Sequence, residues 1–354
     1  MSKKNNYKNI TSKLSGLKLA VLSPACWRTP PRKYGPWEQV ASNIAEGMVK
    51  RGLDVTLFAT ADSITAGKLE YACNQPYGEH PEMDAKVCEC LHISHFMEMA
   101  KGFDLLHNNY DFLPLTYTRL IKTPMVTTIH GFSSPKIIPV FEKYNANNDY
   151  VSISNSDRSD KLNYIATVYN GINTKDFTFQ PKHGKYLLYF GRIHPEKGTW
   201  EAIQIALKSG MQLIISGLIQ HEEYFNEKVK PFIDDKNIVY IGNSGPKKRN
   251  ILLGEAYALL HPISFAEPFG LSVAEAMMCG TPVVAFNLGS MPELIKDGQT
   301  GFLVHNIEEA VKTLPKITTL NRNIVRQWSE SQFSIEKMID GYLSVYDKIL
   351  NKKK

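Results

Sequence analysis

No stretch of this 354-residue chain holds the roughly 20 consecutive apolar residues that a membrane-spanning helix needs. Cysteine is scarce: five in all, an odd number over a long chain, which argues against a disulfide framework and fits reduced thiols. Low-complexity tracts are absent. There is no basic stripe interleaved with aromatics, and no RNP, KH or helix-turn-helix pattern occurs. The net charge of +6 therefore gives no indication of nucleic acid as a partner. The opening MSKKNNYKNITSK is basic but has no apolar signal-peptide core, so a cytoplasmic chain is expected. Part of the positive charge lies in that run and in the closing NKKK. Solvated tails are the plainer reading. The sharper one is weak peripheral contact with anionic lipid, at about 1 kcal/mol per basic residue near the surface.

What is present is the composition of an ordinary globular protein, 43% apolar and 21% charged, in a chain too long for one typical core. Short apolar runs alternate with amphipathic segments. LKLAVLSP (17–24), DVTLFAT (54–60), PMVTTIHG (124–131), VSISN and IATVYNG read as strands, with helices at WEQVASNIAEGMVKRG (37–52) and LPLTYTRLIK. The rhythm restarts after residue 180. KYLLYFGR, QLIISG, NIVYIG and TPVVAF are strands, WEAIQIALKSG is a helix, and RNILLGEAYALLHP is a helix running into a strand. Strands separated by helices at this spacing imply βαβ units and parallel sheets. The fold class expected is α/β, with two doubly wound, Rossmann-like domains at residues 1–175 and 176–325. A terminal segment, 326–354, follows, with apolar residues at helical spacing (Trp328, Ile335, Met338, Ile339, Tyr342, Val345, Tyr346) suited to packing across both. In such sheets ligands bind beyond the carboxyl ends of the strands, so function belongs to the strand-end loops.

Two loops stand out. In YFGRIHPEKGTWEAIQIA a buried strand ends at Gly191, and Arg192 and Lys197 precede a helix that opens after Gly198. A guanidinium, an ammonium and a helix N-terminus together suit a diphosphate. Surface cations paired with Glu196 or Glu201 are the plainer alternative. The second loop, SFAEPFGLSVAEAMMCGTPVVAF (264–286), places Glu267 and Glu275 eight positions apart. Ser272 and Glu275 have capping-box spacing, so Glu275 has a purely structural reading. That reading leaves Glu267 unexplained, and also Pro268-Phe269-Gly270, where a glycine lets backbone N–H groups approach a ligand.

These pieces resemble family 4 of the retaining nucleotide-sugar glycosyltransferases, within the glycosyl transferases group 1, which have the GT-B fold. The segments that carry the resemblance are YFGRIHPEKG, YIG, AEPFGLSVAEAMMCGTPVVAF and GSMPELIKDGQTGFLV, in that order. PPRKYGPWEQV, TTIHG and VYNGIN add to it more loosely. The resemblance implies two domains facing a central cleft, with a C-terminal helix crossing back to the first. Glu275 would bind the ribose hydroxyls and Glu267 the donor-sugar hydroxyls. The amides of Phe269, Gly270 and Leu271 would meet sugar and diphosphate, and Arg192 and Lys197 would hold the leaving diphosphate. Gly242 would lie against the base, Asn170 with Gly171 would approach the ligand, and His130 would reach the donor sugar. Gly35 would approach the phosphates. Here the chain departs from its relatives: Pro36 stands where they usually carry a second glycine, and it cannot donate an N–H.

The resemblance implies a retaining hexosyl transfer from a nucleoside-diphosphate sugar, UDP-sugar before GDP-mannose, to a glycan or lipid-linked acceptor. No D-x-D motif occurs, so no metal is expected, Arg192 and Lys197 standing in for one. Other readings compete. The carboxylates could be a glycosidase pair, the cations could bind free phosphate in a phosphorylase of the same fold, and the chain could be a non-catalytic two-lobed sugar binder. Cys88, Cys90 and His92, with Cys73 and His80, hint at zinc, but C-x-C-x-H is not a standard zinc spacing and free thiols are the plainer reading. The stretch 61–103 is expected to decide acceptor choice.

Overall fold

The computed structural model describes residues 10–132 and 134–352; residues 1–9 of the basic N-terminal run and the last two lysines lie outside them. The chain forms two compact units: one of residues 1–171 with 335–354, the other of residues 172–334.

The first unit is built on seven strands. In chain order they are β1 (Lys18–Leu22), β2 (Asp54–Phe58), β3 (Lys68–Glu70), β4 (Leu105–Asn108), β5 (Met125–Ile129), β6 (Asp149–Ser152) and β7 (Tyr164–Thr167). All pair in parallel, in the order β3-β2-β1-β4-β5-β6-β7. Helices α1 (Pro36–Lys50), α2 (Ala85–Glu98) and α3 (Ile138–Lys143) connect them. Strands buried on both faces read as continuous apolar runs, which is why KLAVL and MVTTI are recognisable in the sequence. The order reverses between β1 and β4, and the loops beyond their carboxyl ends form the switch-point crevice.

The second unit repeats the plan with six parallel strands. They are β8 (Leu187–Phe190), β9 (Leu213–Ser216), β10 (Ile238–Tyr240), β11 (Ala258–His261), β12 (Val283–Phe286) and β13 (Gly301–Val304), in the order β10-β9-β8-β11-β12-β13. Helices α4 (Thr199–Ser209), α5 (Pro246–Glu255), α6 (Leu271–Met278), α7 (Met291–Leu294), α8 (Ile307–Thr313) and α9 (Arg322–Phe333) belong to it. Here the reversal falls between β8 and β11.

The terminal helices divide between the units. α9 stays in the second, where the Arg322 guanidinium donates to the carbonyls of Gln180, Gly254 and Ala256 at 2.7, 2.8 and 3.0 Å. α10 (Ile335–Asn351) joins the first, burying Met338, Ile339, Tyr342, Leu343, Val345, Tyr346 and Ile349 against α1 and the sheet. Its two tyrosines share hydrogen bonds with the sheet side chains, Tyr342 with Thr128 at 2.8 Å and Tyr346 with His107 at 2.6 Å.

Three local expectations are corrected. LPLTYTRLIK is not an α-helix; Leu113–Tyr117 forms a short 3-10 turn, with Pro114 in its first turn. Strand β3 and helix α2 occupy part of 61–103, a stretch for which the sequence predicts no strand or helix. α2 escapes a periodicity search because it is apolar on both sides: Cys88, Ile93, Phe96 and Met97 are buried while Val87 and Leu91 face solvent. The capping box is absent too, since the N-cap of α6 is Gly270, which puts Ser272 in the first turn and Glu275 further in.

Candidate active site

In the second unit both cationic residues of the first loop lie beyond β8. The Gly191 amide donates to the Ser216 carbonyl, and Arg192 follows it. The Arg192 guanidinium donates to the Gln220 side chain. Residues Pro195–Lys197 form a 3-10 turn that hands over to α4 through Gly198, at φ 73°. A Cβ at Gly198 would sit 1.9 Å from the Pro262 carbonyl oxygen, so glycine is what lets the β8 loop lie on the β11 loop. The two switch-point loops are thereby locked together.

Across that contact Lys197 Nζ meets Glu267 Oε2 at 2.5 Å, with both side chains largely buried, 14% and 12% exposed. The ammonium also lies 4.4 Å from the Phe265 ring centroid. His261, the last residue of β11, brings Nε2 to 3.7 Å from the same carboxylate oxygen, an ion-pair rather than a hydrogen-bond separation. Burial by itself would raise the Glu267 carboxyl. The His261 ring and the Lys197 ammonium outweigh it and hold the acid down at about 2. Glu267 is therefore an ionised, acceptor-only group throughout the physiological range.

Glu275 has a different environment. Its Oε1 faces Arg249 Nη1 at 3.2 Å, at the buried end of α6 next to α5. Burial pushes this carboxyl up, Arg249 opposes the shift and Asp176 adds to it. Helix α6 opens at Gly270 in the left-handed region, φ 90°, and no side chain caps it. The first-turn N–H groups at Leu271 and Ser272 have no acceptor within the helix. Phe269 anchors the Glu267 loop: its ring is buried edge-on to Phe333, and its carbonyl accepts from Ser290 Oγ at 2.7 Å. The Ser290 amide donates to the Glu267 carbonyl at 2.9 Å. Gly242, at φ 76° beyond β10, uses its carbonyl internally, accepting from Ser216 Oγ and the Gly217 amide.

In the first unit Gly35 and His130 lie at the β1/β4 switch point and the neighbouring β5 end, whereas Asn170 follows the edge strand β7. His130 follows β5 and is buried; its Nε2 donates to Asn109 Oδ1 at 3.2 Å, and its ring stacks on Trp37 at 5.6 Å. Burial pushes the imidazole down to about 3, so it is neutral near pH 7. Its Nδ1 and the Asn109 Nδ2 are buried without a hydrogen-bond partner. Gly35 is the N-cap of α1, at φ 151°, and a Cβ there would lie 2.7 Å from Pro31. Pro36 occupies the first helical position, where an N–H would be unpaired in any case, so it suits the helix while removing one donor from the loop. Glu38, two residues on, is buried and accepts from the Trp27 amide at 3.2 Å; burial raises it to about 8. Asn170 is buried with its Oδ1 unpartnered. Gly171 serves packing: a Cβ would come 2.7 Å from the Ile335 Cα, and its carbonyl accepts from Asn43.

Among the described residues no three His, Cys, Asp or Glu side chains are grouped as metal ligands. His92 donates to the Ser23 carbonyl at 2.8 Å, Cys90 is exposed, and Cys73 Sγ lies against the Cys88 carbonyl. Sequence reasoning assigned no role to His261, Arg249, Gly289, Ser290, Trp37 or Asn109. His261, at the end of a strand and before a proline, left a readable trace, as did Gly289, Ser290 and Trp37, which lie inside segments that carry the resemblance.

Residues 172–332, which hold the paired acids and cations, match the family model of glycosyl transferases group 1. The match falls on the second unit and covers nearly all of it. An uncharacterised glycosyltransferase of Methanocaldococcus jannaschii is 25% identical over 281 residues, 71% of this chain and 77% of its own. A D-inositol 3-phosphate glycosyltransferase of Mycolicibacterium smegmatis is 28% identical over 57% of this chain and 50% of its own, so the chain matches about half of that relative's length. Among solved structures, AviGT4, a glycosyltransferase involved in avilamycin A biosynthesis, aligns with a TM-score of 0.70 at 20% identity, covering 95% of this chain and 98% of its own. The Anabaena protein HepE, crystallised with UDP and glucose, aligns with a TM-score of 0.70 at 18% identity, covering 94% and 99%. The two doubly wound parallel sheets of this chain are those of the GT-B fold. Among its described residues no helix is long and apolar enough to cross a membrane.

Proposed function

We propose that the chain transfers a hexose-type sugar from a nucleoside-diphosphate sugar to a hydroxyl acceptor, with retention at the anomeric carbon and without a metal. The observation that carries this reading is the buried Lys197–Glu267 pair at the β8/β11 switch point, beside Arg192 and the uncapped start of α6. An ionised carboxylate accepts hydrogen bonds from sugar hydroxyls, and the two cations meet the linking phosphates. Glu275 takes the ribose hydroxyls. Gly242 borders the base, while Gly270 and Leu271 offer N–H groups to sugar and phosphate. His130, Asn170 and Gly35 are the first unit's candidates, His130 as a neutral hydrogen-bonding group toward the sugar.

In the reaction the bond between the anomeric carbon and the β-phosphate oxygen breaks, and the acceptor oxygen bonds to the same face. The acceptor's proton passes to the departing phosphate oxygen. Arg192 and Lys197 balance the charge that grows on the diphosphate, which places their effect in the transition state. UDP is the favoured base, in keeping with the UDP bound by the similarly folded HepE. The acceptor is a glycan or lipid-linked precursor, and the chain acts in the cytoplasm, with weak peripheral membrane contact through its basic termini.

A mass-spectrometric screen of UDP-, GDP- and ADP-sugars, read as nucleoside-diphosphate release with and without EDTA, tests the reading. Release is expected from one donor class, undiminished by the chelator and lost in Arg192→Ala. Release from none of them refutes the proposal, and a loss in EDTA restored by magnesium or manganese refutes its metal-free part.

A further inference from the structure

We propose that His261 is a positioning residue for Glu267, taking over the carboxylate when a diphosphate draws Lys197 away. The inference rests on the reading of Lys197 as a phosphate ligand and adds what must happen to its partner. Lys197 cannot serve both groups unchanged. Its ammonium sits 2.5 Å from Glu267 Oε2, and turning toward a phosphate loosens that contact. Glu267 would then be a buried carboxylate without its nearest cation, and such a group either protonates or shifts. Neither outcome suits an acceptor of sugar hydroxyl hydrogens.

The structure holds a second donor in reserve. His261 Nε2 is buried, 3.7 Å from the same oxygen, and has no hydrogen-bond partner of its own. Buried polar atoms are rarely left in that state, and a movement of about 1 Å makes this contact a normal hydrogen bond. The backbone on either side is fixed. His261 ends a strand paired on both sides, and Glu267 is tied through its carbonyl to the Ser290 amide. The exchange therefore needs only side-chain motion. It leaves Oε1 available to the sugar, and it keeps the acid ionised as the diphosphate enters.

The test is a double-mutant cycle on UDP binding by calorimetry, in the full chain, with GDP or ADP used if the wild type prefers one of them. H261F keeps a ring of similar size and removes the donor; H261A serves if H261F does not fold. H261F is expected to weaken UDP at least fivefold in the wild type, because Lys197 becomes harder to release. In E267Q, where no buried charge needs a keeper, the same change is expected to move UDP affinity by less than twofold. H261Q, which restores an N–H donor, is expected to recover most of the loss. An equal loss in both backgrounds, or no recovery in H261Q, marks His261 as merely structural and overturns the proposal. K197M separates the two layers. If it weakens UDP while His261 and Glu267 act independently, the diphosphate reading stands and the His261 role falls. If K197M leaves UDP affinity unchanged, or no nucleoside diphosphate binds the wild type, both fall.

Discussion

Gly289 touches no proposed substrate, yet its replacement should disable the enzyme. Its φ is +57°, and a Cβ there would sit 2.3 Å from the Glu267 nitrogen and 2.5 Å from the Glu267 carbonyl oxygen. Ordinary contacts begin near 3.5 Å, so Gly289→Ala must push the Glu267 backbone away by about 1 Å. The left-handed backbone costs alanine about 1–2 kcal/mol. The hydrogen bonds from Ser290 to the Glu267 and Phe269 carbonyls are at stake too, at roughly 1 kcal/mol each. The total is about 3–4 kcal/mol, seen as a fall in Tm of several degrees. A carboxylate displaced by 1 Å costs on the order of 100-fold in turnover. Gly298→Ala is the control. It has the same left-handed strain, φ +71°, but its Cβ would meet nothing within 4 Å. Steady-state nucleotide-sugar turnover and thermal melts are to be measured on both variants. Gly298→Ala is expected to lose stability and keep kcat/KM; Gly289→Ala is expected to lose both. If Gly289→Ala melts lower but keeps kcat/KM within twofold, the position of Glu267 does not matter to the chemistry.

Glu275→Gln removes the charge facing Arg249 at 3.2 Å while keeping the shape, and UDP affinity should fall at least tenfold with an unchanged circular dichroism spectrum. Unchanged affinity by calorimetry would rule out its ribose role. Glu38→Gln tests the buried acid beside α1. A carboxyl raised from its ordinary 4.5 to about 8 keeps its proton in the folded state after the unfolded chain has lost it. Stability therefore declines as pH rises from 4.5 to 8, by up to ~1.4 kcal/mol per unit. The Tm advantage of Glu38→Gln over the wild type should grow between pH 5 and pH 8, and a pH-independent difference would show that Glu38 ionises freely. His130→Ala should lower kcat while leaving UDP affinity within threefold, checked by calorimetry beside turnover. Unaltered kcat would remove His130 from the site.

Much of the architecture was readable from order and period alone. The twice-repeated alternation of apolar strands with amphipathic helices demands two parallel sheets, because strands buried on both faces need unbroken apolar runs. The strand-end positions of Arg192, Lys197, His130 and Glu267 followed from the same runs, because the carboxyl edge of such a sheet is where loops converge. Where apolar residues lie on both sides of an element, as in α2, no period survives and the helix disappears from the sequence.

The sequence by itself settled which residue types stand at the sheet edges, since that depends on near neighbours along the chain. Tertiary structure alone decided who pairs with whom: Lys197 with Glu267 across 70 positions, Arg249 with Glu275, His261 in reserve, and Gly289 as the spacer beneath the acid. Those pairings come from strand order, which brings β8 beside β11 although two strands intervene in the chain. Charge, burial and reach across that junction are properties of folded distance, and no reading of adjacent residues contains them.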